Sequence, residues 1–332
     1  MTAPANTTLI DASTAPKALT LLIRSVRLEA EDVITISLED AEGHDLPEWQ
    51  PGAHLDVELP SGLRRQYSLC GSPQDRSTFT LAVLKERNSR GGSRELHETA
   101  IIGHIVRATL RNHFELVPSE RYLFIGGGIG ITPLLPMVRH VGDAAPWRLF
   151  YGGRTLRSMA FTEDLLTIGG NSVELRTREA GGLRPIDDIV STADAKTAIY
   201  CCGPNTLIQA VQEAHARLAP EADLHVERFS ASARAVTAPT ATGDRPVELE
   251  LRRTGATIQV RPDQTLLNAI RTLVPSTPFS CSEGYCGSCE VTVVSGTPDH
   301  RDEILTPNER ESSRTMFPCV SRALSARLVL DI

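Results

Sequence analysis

The chain has 332 residues, of which 41% are hydrophobic and 23% are charged, which is enough for two or three domains. Its formal net charge of -7 excludes a general electrostatic attraction to nucleic acid or anionic lipid, so neither a nucleic-acid nor a membrane partner is expected. No run of about 18 apolar residues is present. Residues 1–17 lack the basic start and apolar run of a signal peptide. We therefore expect a cytoplasmic protein that begins with a flexible tail.

Residues 18–116 form a first block in which short apolar runs alternate with turn signals. Leu55, Val57 and Leu59 alternate with polar residues, as in a strand that is buried on one face. Pairs such as Pro51-Gly52 are typical turn signals and separate the runs. Several short strands at this spacing predict a small antiparallel β-barrel.

Two short motifs in this block have the chemistry of phosphate binding. Residues 65–69 read RQYSL, and an arginine can contact a phosphate through two N–H groups while alternate strand residues share one face. Residues 90–93 read RGGS and precede a short helix-like run, which is a second loop of the phosphate-binding kind. An ordinary strand and an exposed turn are the alternative interpretations.

Residues 117–230 alternate strand-like and helix-like runs, which predicts an α/β domain with a parallel sheet. The run at 126–133 reads GGGIGITP, follows a predicted strand and opens a predicted helix. A pyrophosphate can approach such a backbone and the helix N-terminus, although a tight turn is the alternative. A later strand ends in residues 201–204, which read CCGP. For either cysteine, a buried and inert thiol is the alternative to a functional one.

The last part of the chain combines a predicted linker with a cysteine motif. Residues 231–246 are small, polar and aperiodic, which predicts a linker. Residues 247–332 contain Cys-x4-Cys-x2-Cys and then a fourth cysteine, which is the spacing of plant-type ferredoxins. Four thiolates suit a [2Fe–2S] cluster, because each of two sulfide-bridged irons needs two further ligands. A structural zinc site typically has two Cys-x2-Cys pairs, and only one is present here.

The combined motifs resemble those of the ferredoxin-NADP reductase superfamily, and residues 247–332 resemble a plant-type ferredoxin domain. Their order resembles the phthalate dioxygenase reductase family, including the related aryl O-demethylase reductases. The resemblance covers nearly the whole chain after Ala18 and includes Glu227-x-Phe229. It implies a multidomain fold of an antiparallel β-barrel flavin domain (18–116), an α/β parallel-sheet nucleotide domain (117–230), a linker (231–246) and an α+β plant-type ferredoxin domain (247–332).

The resemblance also implies roles for individual residues. Arg65 would meet the flavin phosphate, Tyr67 would cover the flavin, and Ser68 would approach flavin N5. Cys202 would lie beside the nicotinamide, so Ser68 and Cys202 are the candidate catalytic residues. The candidate cofactor-binding residues are Arg65, Gln66, Tyr67, Ser68, Ala82, Val83, Leu84, Arg90, Gly91, Gly92, Ser93, Gly127, Gly128, Gly130, Thr132, Pro133, Cys202, Gly203, Pro204 and Phe229. The candidate cluster ligands are Cys281, Cys286, Cys289 and Cys319.

The choice of flavin and coenzyme rests mainly on the same resemblance. It implies FMN rather than FAD, in agreement with a single phosphate loop and no evident adenine platform. It also implies NADH. Residues 151–157 read YGGRTLR, where an acid would meet a ribose 2′-hydroxyl. No acid is present, and Arg154 and Arg157 can accept a 2′-phosphate, so NADPH stays an alternative.

The predicted function follows from electron counting and from the resemblance. A nicotinamide delivers two electrons as hydride, a [2Fe–2S] cluster accepts one, and a flavin bridges the difference. The resemblance implies a reductase that serves a separate Rieske-type aromatic oxygenase or O-demethylase, which would dock near residues 282–287. The alternatives are a diiron monooxygenase or cytochrome P450 as acceptor, and a non-enzymatic iron–sulfur carrier or sensor.

Overall fold

The computed structural model describes residues 18–86, 91–230, 244–279, 281–305 and 307–332. The predicted N-terminal tail, Arg90 and residues 231–243 of the predicted linker lie outside these ranges. Within them, no helix combines the length and the apolar character needed to cross a membrane.

Six antiparallel strands form the first sheet. They are β1 (Ala18–Ala30), β2 (Val33–Asp40), β3 (Ala53–Glu58), β4 (Arg64–Ser68), β5 (Phe79–Leu84) and β6 (Ile105–Asn112). Their spatial order is β4–β3–β6–β1–β2–β5, and a bridge between Leu69 and Leu81 brings the two outer strands together. Leu55 and Val57 lie in the barrel core, as their alternation predicts. Between β5 and β6, the short helix α1 (Gly92–Thr99) adds Leu96 to that core.

Five parallel strands form the second sheet, with helices on both faces. The strands are β7 (Arg121–Gly127), β8 (Trp147–Gly153), β9 (Val173–Thr177), β10 (Thr197–Cys202) and β11 (Asp223–Glu227), in the spatial order β11–β10–β7–β8–β9. The helices are α2 (Ile131–Val141), α3 (Thr162–Gly169), α4 (Ile186–Val190) and α5 (Asn205–Leu218). Residues of α2 and α3 share one core with Phe124, whereas residues of α4 and α5 share another with Leu123 and Ile125. Since neighbouring residues of a strand point to opposite faces, the nearly continuous apolar run of β7 serves both cores.

One hydrophobic core crosses from the barrel to the parallel sheet. Val33, Cys70 and Ala82 of the barrel belong to the same buried cluster as Phe124 and Tyr200 of the parallel sheet. The barrel and the nucleotide domain therefore do not have fully separate cores. The predicted boundary at residue 116 stays a prediction.

The third unit contains two helices and strands that pair both parallel and antiparallel. Along the chain, its elements are β12 (Val247–Leu251), β13 (Ala256–Val260), α6 (Leu266–Leu273), β14 (Val291–Ser295), β15 (Pro298–Asp299), α7 (Pro307–Ser312), β16 (Thr315–Met316), β17 (Arg322–Ala323) and β18 (Arg327–Leu330). Five strands pair in the order β13–β12–β18–β14–β16, and β15 pairs with β17. Thr265 caps α6, since its Oγ1 accepts the N–H of Asn268 at 3.1 Å. With this α+β unit, the predicted multidomain fold class is confirmed.

Asp244 attaches the end of the predicted linker to this third unit. Its carboxylate lies 2.5 Å from Nη2 of Arg301 and 3.8 Å from Nε of Arg322. Arg322 is almost fully buried and also donates to the carbonyl oxygen of Arg245 at 2.9 Å. Residues 244 and 245, which the sequence places in the linker, are therefore held by the ferredoxin-like unit.

Candidate flavin, nucleotide and cluster site

The four candidate cluster ligands lie at one end of the third unit. The loop from Cys281 to Cys289 precedes β14, and Cys319 lies in the turn between β16 and β17. Three of the four are buried, and Cys281 is partly exposed. The N–H of Glu283 donates to Cys281 Sγ at 3.2 Å, and the N–H of Cys281 donates to Cys286 Sγ at 3.4 Å. Backbone donors thus point at the sulfurs, as thiolate ligands of a cluster require.

The four thiols are arranged as two pairs. Cys281 and Cys286 share one side-chain hydrogen bond, and Cys289 and Cys319 share another. The hydrogen bond from Cys286 lowers the pKa of Cys281, while the same hydrogen bond and burial raise the pKa of Cys286. In the described part of the chain, no three His, Cys, Asp or Glu side chains are grouped as ligands of one metal ion. Two pairs of thiols suit two irons better than one zinc, so the donor set fits a [2Fe–2S] cluster.

The tight cluster loop depends on residues with left-handed backbone. Ser282 has φ of 58°, and Gly284 has φ of +77°. A Cβ on Gly284 would also stand 2.6 Å from the side chain of Val320. Position 284 therefore requires glycine both for its conformation and for space.

A cavity of about 140 Å³ lies beside the ends of β4 and β5. Its wall includes predicted cofactor-binding residues from the barrel and from the nucleotide domain, namely Arg65, Gln66, Tyr67, Ser68, Ala82, Leu84, Ser93, Thr132 and Phe229. Glu86, Ile129 and Tyr285 line it as well and were not predicted. Ser68 Oγ is buried and has no hydrogen-bond partner in the described structure. Because such a hydroxyl is costly unless it is paired, the pocket fits a ligand with a polar ring atom, as a flavin has.

Three predicted flavin contacts, Val83, Gly91 and Gly92, do not line the smaller cavity. Val83 points away from the cavity into the barrel core, because β5 alternates and only Ala82 and Leu84 face the cavity. Gly91 and Gly92 lie at the start of α1, where a Cβ on Gly92 would stand 2.6 Å from Arg65 Cγ. The loop is therefore adjacent to the guanidinium that is predicted to bind phosphate. Arg90 lies outside the described residues.

The two nucleotide motifs meet because β7 and β10 are neighbouring parallel strands whose carboxyl ends lie together. A Cβ on Gly130 would stand 2.6 Å from the backbone N of Gly203, and one on Gly127 would stand 2.7 Å from Pro204 Cδ. Gly128 has φ of +55°. The glycine loop therefore packs directly on the later CGP turn.

The first turn of α2 continues from the glycine loop toward the flavin cavity. Thr132 and Pro133 are buried in this turn, and Thr132 Oγ1 donates to the carbonyl oxygen of Ile129 at 3.0 Å. Thr132 and Ile129 line the smaller cavity. The glycine loop and the smaller cavity are thus connected through this turn.

Cys202, which is buried, and Glu227, which is half-buried, lie side by side at the ends of β10 and β11. The two residues are register partners, and Cys202 Sγ lies 4.0 Å from Glu227 Oε2. Burial raises the pKa of Cys202 well above its ordinary value and raises the pKa of Glu227 to about 8. Glu227 is one of the residues that line a large cavity, and Cys202 is not. Sequence reasoning included Glu227 only as part of a terminal motif and assigned it no role.

The large cavity, of about 690 Å³, lies where the three units meet. Its lining includes Ser68 of the barrel, Glu227 of the nucleotide domain, and Cys281 and Cys286 of the cluster loop. His54 also lines it, and burial lowers the pKa of its imidazole to about 4, so the ring is neutral at neutral pH. No local motif marks His54, which explains why sequence reasoning missed it.

Arg154 and Arg157, the two arginines relevant to coenzyme choice, follow β8 and are exposed. In the described ranges, neither guanidinium has an ion pair or a hydrogen bond. Both are therefore accessible to an anion.

The chain is similar in sequence to a known domain family and to known proteins. The sequence model of the 2Fe-2S iron-sulfur cluster binding domain matches residues 249–324. Phenoxybenzoate dioxygenase subunit beta of Ectopseudomonas oleovorans is 37% identical over 320 residues, which cover 95% of this chain and 97% of that protein.

Two solved structures resemble the chain over most of its length. Phthalate dioxygenase reductase, described as a modular structure for electron transfer from pyridine nucleotides to [2Fe–2S], matches with a TM-score of 0.66 and 32% identity. The match covers 95% of this chain and 98% of that one. An intact type IV self-sufficient cytochrome P450 monooxygenase matches with a TM-score of 0.87 and 39% identity, over 95% of this chain and 41% of that one.

Proposed function

Because the chain belongs to the phthalate dioxygenase reductase family of iron–sulfur flavoprotein electron-transfer enzymes, we propose an electron path from NADH through FMN and a [2Fe–2S] cluster to a separate oxygenase. One observation carries the proposal. One cavity is lined by Ser68 of the flavin motif, by Glu227 at the end of the parallel sheet and by Cys281 and Cys286 of the cluster loop. The proposed flavin, coenzyme and cluster sites therefore each have a nearby residue that lines this cavity.

The flavin, when bound, supplies the conversion between a two-electron hydride and single electrons. The chain's own residues bind and orient the partners of that reaction. Arg65, which lines the smaller cavity, would hold the flavin phosphate, and the Ser68 hydroxyl, which has no partner in the described structure, would form a hydrogen bond to the ring. The glycine loop offers backbone N–H groups and the start of α2 to the pyrophosphate of NADH.

The proposal specifies FMN as the flavin and NADH as the coenzyme. FMN is supported by the single glycine loop near Arg65. NADH is supported by the family relationship alone, whereas the exposed Arg154 and Arg157 favour NADPH as the alternative coenzyme.

A Rieske-type aromatic oxygenase or O-demethylase is the proposed acceptor. It is supported by relatives that are named as components of aromatic dioxygenases. A cytochrome P450 is the second candidate, since the structure of a self-sufficient cytochrome P450 monooxygenase matches nearly the whole chain.

An anaerobic titration of the purified holoprotein with NADH, combined with iron analysis and flavin extraction, tests the electron path. We expect two irons per chain, extracted FMN and reduction of both centres. A panel of acceptors then tests the output: NADH-dependent turnover of a Rieske oxygenase supports the proposal, and turnover of a P450 alone assigns the second candidate. Failure of NADH to reduce either centre would reject the proposed function.

A further inference from the structure

The barrel holds the cluster loop through a buried polar contact. Ser288, between two candidate cluster ligands, donates its hydroxyl to the carboxylate of Asp56, with distances of 3.1 and 2.9 Å to the two oxygens. Gln66 Nε2 donates to the carbonyl oxygen of Cys286 at 2.8 Å and lies 3.1 Å from Ser288 Oγ. Ser288 is 3% exposed and Asp56 is 7% exposed. Such enclosed and charge-assisted hydrogen bonds are stronger than exposed ones.

The barrel presents these groups from adjacent strands. Asp56 of β3 is the direct register partner of Gln66 of β4, so the two side chains lie next to each other on one face. Arg111 of β6 donates Nε to Asp56 at 2.7 Å. This ion pair orients the carboxylate toward Ser288, and Arg111 and Asp56 are both mostly enclosed.

Two further residues show how close the cluster loop comes to the barrel. Gly287 has φ of +75°, and a Cβ there would stand 2.7 Å from the ring of His113. Tyr285, inside the cluster loop, lines the same small cavity as Ser68 and Arg65. The loop that carries the ligands is thus part of the wall of the flavin pocket.

We propose that Asp56, Gln66 and Ser288 are positioning residues that hold the cluster loop against the flavin pocket for electron transfer between them. Transfer between two centres depends steeply on their separation and orientation, so a small displacement of the loop slows it. Gln66 belongs to the flavin motif, yet its amide is used by the cluster loop, which couples the flavin-bearing strand to the cluster. The inference rests on the proposed electron path through both centres.

Ser288→Ala in the oxidised holoprotein tests the contact, with Ser282→Ala as the matched control. Ser282 lies in the same loop but is exposed, and its side chain has no hydrogen bond to the barrel among the described residues. In stopped-flow measurements we expect NADH to reduce the flavin at the wild-type rate in both variants. Cluster reduction should slow roughly tenfold in Ser288→Ala only, which corresponds to a loss of about 1.4 kcal/mol.

Hydrogen–deuterium exchange of residues 281–290 provides a readout that does not depend on turnover. Ser288→Ala should exchange faster there than the wild type, while Ser282→Ala should not, and the electron paramagnetic resonance spectrum of the reduced cluster should be the same in all three. Ser288→Thr, which keeps the hydroxyl, should restore both exchange and rate. If Ser288→Ala loses its cluster, Asp56→Ala, which removes the oxygen acceptors of the Ser288 hydroxyl, tests the same contact from the barrel side and should slow cluster reduction.

Two outcomes separate this inference from the proposed function. If the wild-type flavin is reduced by NADH and the cluster never is, the proposed function fails. If the wild-type cluster is reduced, and the variants that break the contact show wild-type rates and exchange, only the positioning role is overturned.

Discussion

At the residue scale, the two candidate catalytic side chains differ in their surroundings. Ser68 Oγ is buried without a hydrogen-bond partner in the described structure and lines both cavities. The thiol of Cys202 is enclosed, and the carboxyl group of Glu227 lies beside it. Since Ser68 and Glu227 line the large cavity and Cys202 does not, we expect a bound ligand to contact these two side chains rather than the Cys202 thiol.

Arg65→Ala should weaken flavin retention by roughly 1–3 kcal/mol, because a charged hydrogen bond to the phosphate would be lost. Arg64→Ala is the matched control, since Arg64 is exposed, pairs with Glu58 and lines neither cavity. Flavin affinity measured by fluorescence titration checks this prediction. Equal affinity in Arg65→Ala and the wild type would contradict it.

Glu227 should make stability depend on pH, because its pKa rises from 4.5 to about 8 in the folded chain. The folded protein keeps this proton where the unfolded chain releases it. The stabilising contribution is therefore complete below about pH 4.5 and is lost as the pH rises toward 8.

The Glu227→Gln variant should accordingly show a flatter decline of Tm between pH 5 and 8 than the wild type. Thermal unfolding of both proteins at several pH values measures the difference. Glu213→Gln is a suitable control, since Glu213 is exposed on α5. Parallel curves for the wild type and Glu227→Gln would show that the carboxyl group is not buried in the way the structure describes.

At the element scale, the order of the strands determines which loops meet at the candidate nucleotide site. β7 and β10 are neighbours in the parallel sheet, so the turns that follow them share one edge. That edge is where α/β sheets commonly bind ligands. The glycine loop and the CGP turn are 70 or more residues apart in the sequence, and only the parallel pairing of their strands brings them together.

Gly130→Ala should destabilise this edge by about 1–3 kcal/mol through overpacking, since the new Cβ would meet the backbone of Cys202 and Gly203. It should also weaken coenzyme binding, because the loop would be displaced from the turn. Gly126→Ala is the control, since a Cβ there meets side chains only at 3.4 Å or more. Thermal unfolding and titration with coenzyme check both effects, and equal behaviour of the two variants would argue against close packing at Gly130.

Several elements were predictable from local pattern, and others were not. The helix from Asn205 to Leu218 and the hairpin of β12 and β13 follow from apolar periodicity and turn residues. The short helix α4 and the small strands β15 to β17 escaped prediction. A five-residue helix makes little more than one turn and a two-residue strand shows no alternation, so tertiary packing defines these elements.

At the scale of the whole molecule, the protein brings three units around one cavity. The barrel and the parallel sheet share a hydrophobic core, while the ferredoxin-like unit meets the barrel through polar contacts at Asp56 and Gln66. The first association includes a shared apolar core, and the second includes buried hydrogen bonds. The candidate coenzyme and cluster residues thus lie in different units of the chain.

Cys286→Ser should separate these parts functionally. We expect it to abolish the visible absorbance of the cluster while NADH still reduces the flavin, because the flavin and nucleotide residues lie mainly in the other two units. Cys70→Ser is the control: Cys70 is buried in the barrel and its thiol donates to the carbonyl oxygen of Thr80, a bond that serine can retain. Iron analysis and visible spectra check the outcome, and an intact iron–sulfur spectrum in Cys286→Ser would refute the ligand assignment.

The sequence by itself determined the features whose signal is local. These include the spacing of the four cysteines, the glycine loop between a strand and a helix, and the alternation that distinguishes barrel from parallel sheet. Tertiary structure alone decided that Val83 faces the core, that Glu227 rather than Cys202 reaches the cavity, and that Ser288 meets Asp56. Asp56 and Ser288 are 232 residues apart, and neither residue type nor spacing identifies the pair. Contacts of that kind depend on how folded units pack, whereas motifs depend only on neighbours along the chain.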